Sequence, residues 1–317
     1  MLPRLRCLAL RGSKVSIVRI GTRGSQLALW QAHHIAGLIG THLNGIETEI
    51  VPIKTEADLR QDVLLAELGG KGLFIKELEV ALLDNRIDIA VHSMKDVTVD
   101  LAEEFTIAAI LEREDPYDAL VSSKYQTLAQ LPAGAVIGTC SLRRQSQLLS
   151  IRPDLTIIPV RGNVTTRLKR LDDGDFDAII LAVSGLRRLG LDERITEVLD
   201  QLPHVPSPGQ GALGVECRVG DQDLVEEMKK LDDSLSNAEV SAERAVNAGL
   251  GGSCHVPIGV LTKCRKESYD IAAYVGSIDA QQTIIETLSG TLDGLMTGIE
   301  VVIEKLNQRG AQEILAG

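Results

Sequence analysis

Arginines gather where short apolar runs end. Arg23 follows the run Ser16 to Ile20, Arg143 and Arg144 open a helical run after Ala135 to Ile137, Arg161 follows Thr156 to Val160, and Arg187 and Arg188 come after Ile179 to Ala182. A guanidinium is a planar fork that pairs two hydrogen bonds with a carboxylate, which a lysine point charge does not reproduce. In open α/β sheets ligands sit beyond the carboxyl ends of strands, where helix N-termini also favour anions. The repetition therefore predicts a site that binds several carboxylates together, although any one of these arginines alone would fit a solvated surface charge. In the run Arg161 to Leu171, residues Val164, Leu168 and Leu171 mark a buried stripe at helical spacing. Arg167 falls at the edge of that stripe and Arg170 further toward water, so Arg161 and Arg167 are the site candidates and Arg170 is not.

The segment His92-Ser93-Met94-Lys95-Asp96 follows the apolar run Ile87 to Val91, so Lys95 and Asp96 should lie at a sheet's carboxyl edge too. Asp96 is the acid nearest that predicted pocket. The competing reading is a turn with an exposed salt bridge, with His92 structural. Gly69 to Phe74 has glycines that permit unusual backbone angles but lacks phosphate-loop spacing. The polar run Thr55 to Gln61 before it reads as a mobile lid or as an ordinary connection. Gly251 to Pro257 sets Cys254 in a glycine-rich loop able to approach another domain closely. Cys254 would otherwise be a small buried apolar residue. A Cys-His protease is a weak reading, because His255 is the next residue and badly oriented as a partner.

Alternating β-rich and helical runs from Val15 to about Leu189 predict parallel sheets covered by helices, an α/β class. Ser25 stands as N-cap of a helix beginning at Gln26. Ala135 to Ile137 followed by Gly138-Thr139-Cys140-Ser141 repeats the arrangement of Ser16 to Ile20 followed by Gly21 to Ser25. Asp84 to Val91 resembles Asp173 to Ile180, so the chain reads as two similar lobes. Pro203 to Pro208 breaks structure after the second lobe, and Ala212 to Glu216 is a strand that would return to the first. The expected divisions are a disordered leader 1–15, a first lobe from 16–112 and 207–231, a second lobe from 113–206, and a small α+β domain from 232–317.

With 317 residues the chain suits two or three domains. Its 44% hydrophobic and 24% charged composition fits packed globules. A net charge of -11 and 3% aromatic residues argue against nucleic-acid binding, which needs clustered cations or stacking platforms. The five scattered cysteines form no C-x-x-C pair and have no histidine cluster at metal spacing, so free thiols in a reducing compartment and no metal are expected. Arginines interrupt the apolar run of the first fifteen residues, against an export signal, and no run reaches the roughly 18 apolar residues of a membrane span.

These segments, in the same order, resemble the hydroxymethylbilane synthase (porphobilinogen deaminase) family from about Ser16 onward. The resemblance rests on Thr22 to Ala28, Gly69 to Phe74, His92 to Val97, GTCSLRRQ at Gly138 to Gln145, RGNVTTRL at Arg161 to Leu168, GQGAL at Gly209 to Leu213, and Glu243-Arg244 leading to GGSCHVPIG at Gly251 to Gly259. It implies two periplasmic-binding-protein-like lobes around a cleft plus a small third domain. It also implies a transferase that condenses four porphobilinogens head to tail, with loss of ammonia, and releases 1-hydroxymethylbilane by hydrolysis. The primer would be a dipyrromethane cofactor held through a thioether to Cys254, with Asp96 as the catalytic aspartate. Arg23, Ser25, Ser93, Lys95, Thr139, Ser141, Arg143, Arg144, Arg161, Arg167 and Arg188 would bind cofactor or substrate, with Lys71 and Phe74 on or near the lid. A cytoplasmic monomer is implied as well. Thr98 stands where the family commonly has proline, Ala57 where glycine is usual, and Cys140 where serine is frequent.

Two other classes share parts of this pattern. A two-lobed anionic solute-binding protein would need neither Cys254 nor Asp96 and is usually exported. The effector domain of a transcription regulator would require a helix-turn-helix unit, which the segment before Ser16 is too short to hold.

Overall fold

The computed structural model describes residues 16–55, 75–99, 101–252 and 256–316, and within them three sheets organise the chain. The first lobe runs through β1 (Ser16–Arg23), α1 (Gln26–His42), β2 (Ile46–Ile53), α2 (Lys76–Leu83), β3 (Ile89–Ser93) and β4 (Phe105–Ile110). The second follows with β5 (Asp118–Val121), β6 (Val136–Gly138), α3 (Leu142–Ile151), β7 (Thr156–Ile158), α4 (Val164–Asp172), β8 (Ala178–Ala182), α5 (Val183–Arg188) and β9 (Glu197–Leu199). Then come β10 (Leu213–Arg218) and α6 (Gln222–Lys229).

The two sheets have matching orders, β2-β1-β3-β10-β4 and β7-β6-β8-β5-β9. In each, three parallel strands are followed by one strand antiparallel to its neighbours, β10 in the first and β5 in the second. Because β10 follows β9 in sequence but pairs with β3 and β4, the chain crosses between lobes twice, at 111–117 and at 200–212. The repeat seen in sequence holds at atomic detail. Asp88 accepts from the backbone N–H of Arg19 at 2.8 Å, and Asp177 from that of Val136 at 2.9 Å. The turns before them need positive φ, 56° at Asn85 and 89° at Gly174.

The helix starts at the carboxyl edges are fixed by the residue types present. Ser25 and Ser141 both accept from the N–H three residues on, those of Ala28 and Arg144. Gly21 lies against the Ile87 side chain, and Gly138 against Ile179, Phe176 and Val160, leaving no room for a Cβ at either position. The core of the first lobe packs Ile35 and Ile39 of α1 on Val18 and Ile20 of β1 and on Val215 of β10.

The third unit opens with α7 (Ser234–Gly249), whose N-cap Asp233 accepts from Ser236 N. It continues through β11 (Ile258–Cys264), β12 (Ser268–Gly276) and β13 (Thr283–Thr291), an antiparallel sheet in that order, and ends with α8 (Leu295–Gln308) and α9 (Ala311–Ala316). Val246 of α7 and Val302 and Leu306 of α8 join Val260, Ile271 and Ala273 in one buried cluster. α3 of the second lobe supports β12, where Ser146 Oγ and Tyr274 OH lie 2.7 Å apart.

Candidate functional site

At the carboxyl edge of the first sheet, β3 runs straight into a single 3-10 turn, Met94–Asp96. Arg23, Ser25, Gln31, His92, Ser93 and Asp96 line one cavity there. The strand ends and the α1 N-terminus thus bring Arg23, Ser25, Ser93 and Asp96 to one place. Gln31 is buried and donates to Ser93 Oγ at 2.9 Å. His92 is also buried and bonded to Glu216 at 2.8 Å, a structural pairing in line with its reading as a core histidine.

Lys95 points the other way, toward the crossing segments. Its Nζ donates to Gln210 Oε1 at 3.3 Å. Gln210 in turn donates to Pro116 O at 2.7 Å and to Asp118 Oδ1 at 2.9 Å. Burial pushes the Lys95 ammonium down to about 8, helped by Arg144 and Arg143 and opposed by Asp96 and Asp118. Gly209 and Gly211, with φ of 73° and 92°, allow this passage, because a side chain on either would strike the backbone of Met94 or Glu114.

In the second lobe Arg143 and Arg144 begin α3 and are both buried. Arg143 donates to Asp118 Oδ2 at 2.8 Å, Gln147 Oε1 at 3.1 Å and Val205 O at 2.9 Å. Arg144 donates to Asp118 Oδ1 at 2.6 Å and Ile180 O at 2.9 Å, while its Nε is buried with no partner among the described residues. Burial alone would raise the Asp118 carboxyl, but the two guanidiniums outweigh it and hold the group far below the usual carboxylate range. Thr139 accepts from Ser141 N at 3.2 Å beneath this cluster.

Arg161 and Arg167 lie in the same neighbourhood. The Arg161 Nη1 is buried without a described partner. Arg167 spends its Nε on Gly162 O at 2.8 Å, and burial, Arg144 and Arg161 together lower its pKa while Cys140 and Asp96 oppose. Asp96 of one lobe is therefore within electrostatic reach of the cations of the other. Arg188 donates to Gly211 O at 2.6 Å and stands 5.8 Å from the Trp30 ring centroid, across from α1. Burial lowers it to about 10, so it stays charged at neutral pH. Arg170 is elsewhere, paired with Asp175 at 2.8 Å and set over Phe176.

Sequence reasoning had assigned no role to Asp118, Gln210 or Gln31. The sign for Asp118 is an acid opening the apolar strand Ala119 to Val121, and for Gln210 its place between two glycines. Lys71, Phe74, Cys254, the leader 1–15 and most of the predicted lid lie outside the described residues. Among the described cysteines, burial pushes the Cys217 thiol up to about 12 and Cys264 to about 11, so neither is a nucleophile near neutral pH. No group of three or more His, Cys, Asp or Glu among the described residues could hold a metal, and no described helix is long and apolar enough to cross a membrane.

This donor set suits a polycarboxylate. The family model for the porphobilinogen deaminase dipyrromethane cofactor-binding domain matches residues 18–226, and that for the porphobilinogen deaminase C-terminal domain matches 237–306. The chain belongs to the porphobilinogen deaminase family. Its activity is that of a hydroxymethylbilane synthase, a transferase of tetrapyrrole synthesis with a dipyrromethane cofactor-binding domain. Among solved structures the chain is similar to a periplasmic substrate-binding protein of an ABC transporter from Coxiella burnetii. That likeness has 16% identity and a TM-score of 0.43, over 72% of this chain and 96% of the other. It is also similar to a nutrient-binding protein from Burkholderia cenocepacia bound to methionine, at 14% identity and TM-score 0.43, over 67% and 89% of the two chains.

Proposed function

We infer that Asp96 is the acid-base group of this synthase, that Cys254 carries the dipyrromethane through a thioether, and that the arginines of the second lobe hold its acetates and propionates. The observation that carries the reading is the cavity joining Asp96 to Arg23, Ser25 and Ser93. The unpartnered buried nitrogens of Arg144 and Arg161 add to it. A buried guanidinium nitrogen without an acceptor is costly, and a ligand carboxylate removes that cost.

When bound, the dipyrromethane supplies the pyrrole carbon to which the next ring is joined. Porphobilinogen carries an aminomethyl group that leaves as ammonia once protonated, and the methylene-pyrrole left behind is cationic. Asp96 assists delivery of that proton, then faces the cationic ring through its N–H and stabilises it. The same carboxylate later assists removal of the proton from the coupled carbon. Arg23 and Ser25 orient an incoming ring, and Ser93 is itself oriented by Gln31. Arg143, Arg144, Arg161, Arg167 and Arg188, with Thr139 and Ser141 at the α3 start, receive the carboxylates that accumulate as the chain lengthens. Lys71 and Phe74 are carried over from the family resemblance as further contacts to cofactor or substrate.

The divisions 16–112 with 207–231, 113–206 and 232–317 fit the three sheets, and a cytoplasmic monomer fits the family. Intact-protein mass spectrometry tests the cofactor: an adduct of dipyrromethane mass on Cys254 is expected, and an active protein without one would sink the reading. The test of the acid is Asp96→Asn, expected to keep the fold and the adduct but to lose turnover by roughly 10² to 10⁴. Near-normal porphobilinogen consumption by that variant would refute the role.

A further inference from the structure

Arg244 of α7 meets no carboxylate within ion-pair distance among the described residues. Its Nη1 donates to Val97 O at 3.0 Å, and its Nη2 donates to Thr98 O at 2.7 Å and Val99 O at 3.3 Å. All three carbonyls belong to the chain as it leaves Asp96. Burial lowers the Arg244 pKa, a penalty that neutral acceptors offset less fully than a carboxylate would. What this arrangement supplies is geometry, because a rigid planar fork across three successive carbonyls fixes the direction of the backbone there.

The turn that presents Asp96 is otherwise short. Val97 N donates to Met94 O at 3.2 Å to close it, and Met94 N donates to Ala212 O at 3.0 Å. α7 grips the same turn a second time: Val240, one helical turn before Arg244 and on the same face, is buried in one cluster with Met94 and Val97. The next residue back from Arg244 is Glu243, which ties α7 to Arg113 by a two-pronged pair at 2.7 and 2.9 Å. α7 ends at Gly249, five positions before Cys254 in sequence.

We propose that Arg244 is a positioning residue for Asp96, its guanidinium fork fixing the acid's turn to the helix that precedes Cys254 in sequence. The inference rests on the acid-base role of Asp96 given above. It makes the setting of the carboxylate depend on the third domain as well as on the first lobe.

The test uses cofactor-loaded enzyme with Arg244→Met and Arg244→Lys, each alone and combined with Asp96→Asn, read by intact mass, thermal melting and single-turnover kinetics. Arg244→Met is expected to keep the adduct and to lower kcat by about 10- to 100-fold, the scale of a misplaced catalytic group, with KM within about twofold. On the Asp96→Asn background the same change should have almost no further effect, since a misplaced acid and an absent one are equivalent. Arg244→Lys, which keeps the charge and loses the fork, should recover only part of kcat. An equal loss on both backgrounds would assign Arg244 a structural role and overturn the proposal. If Arg244→Met fails to fold or load, the lysine variant decides, and a wild-type kcat there overturns the proposal as well. Full turnover by Asp96→Asn alone would mean that the acid assignment has failed and this inference with it. A crippled Asp96→Asn beside unaffected Arg244 variants would mean that only the inference has failed.

Discussion

The two lobes use one frame for different work. The β1–α1 and β6–α3 junctions share a packed glycine, a threonine and a serine N-cap. β3 and β8 are preceded by the same aspartate contact to the backbone of the neighbouring strand. Past those points they diverge. β3 ends in the turn that presents Lys95 and Asp96, whereas β8 ends in α5, which presents Arg188. Arg23 and Ser25 face a cavity, while Arg143 and Arg144 are buried on an internal carboxylate. The difference traces to one position on the antiparallel strand. Opposite the end of β8, Asp118 pairs with Ala182; opposite the end of β3, the corresponding partner of Ser93 is Leu213. One lobe thus keeps an acid at its edge over an apolar floor, and the other keeps an acid in its floor beneath a bank of cations.

The strongest way to break this comparison is to give the second lobe the residue of the first. Asp118→Leu leaves two buried guanidiniums facing each other, and removing one partner of a buried ionic cluster costs about 3–5 kcal/mol. The expected result is a matching loss of unfolding free energy in urea together with poor cofactor loading by intact mass. Stability within about 1 kcal/mol of wild type would mean that Asp118 is not what distinguishes the lobes.

Arg161→Leu sharpens the comparison from the opposite side. Its buried Nη1 has no described partner to lose, so the fold should tolerate the change. Carboxylate binding should not: weaker substrate binding or slower elongation by about tenfold is expected, the value of roughly one charge-assisted bond. Unchanged kinetics and an unchanged distribution of partly elongated enzyme forms would remove Arg161 from the site.

Lys95 connects the two lobes and gives a pH signature. Its ammonium titrates near 8 in the folded protein, against about 10.4 for an unfolded lysine. Between those values the unfolded chain binds more protons, so this group makes folding more favourable as pH rises through the window. A Lys95 charge that serves carboxylate binding would move the other way, since the cation is lost above about 8. An alkaline fall in kcat/KM is expected near that pH, and Lys95→Arg should remove it because arginine keeps its charge. The same limb in both proteins would assign it to another group.

Much of this frame was legible in the residues. Ser25 before an amphipathic run gave the α1 start, and the Asp84 and Asp173 segments gave the lobe repeat, because capping and tight turns depend on local residue type. The run Ala212 to Glu216 could be read as a strand returning to the first lobe, and β10 lies between β3 and β4. What local pattern could not reveal is which groups the arginines meet. Asp118 lies 25 and 26 positions from Arg143 and Arg144, and Gln210 lies 115 from Lys95. The first pairing depends on the sheet order of the second lobe, which sets β5 and β6 on either side of β8, and the second on the crossing at 200–212. Six residues after Gly310 carry too short a pattern to mark the helix α9 in sequence.

The smallest effect distinguishes two arginines three positions apart on α4. Arg167 is crowded by Arg144 and Arg161, whereas Arg170 pairs with Asp175 where the two side chains are 41% and 43% exposed. Helical spacing alone turned one toward the cleft and the other toward water. An ion pair so exposed contributes about 0–1 kcal/mol, and its stacking on Phe176 about as much again. Arg170→Ala should therefore leave kcat and KM unchanged and lower the melting temperature by no more than a few degrees, and less so as salt is added. Arg167→Ala should do the reverse, sparing the melting temperature and reducing turnover. If both variants altered turnover alike, the charge of the whole helix, and not the direction each side chain takes from it, would be what the second lobe contributes.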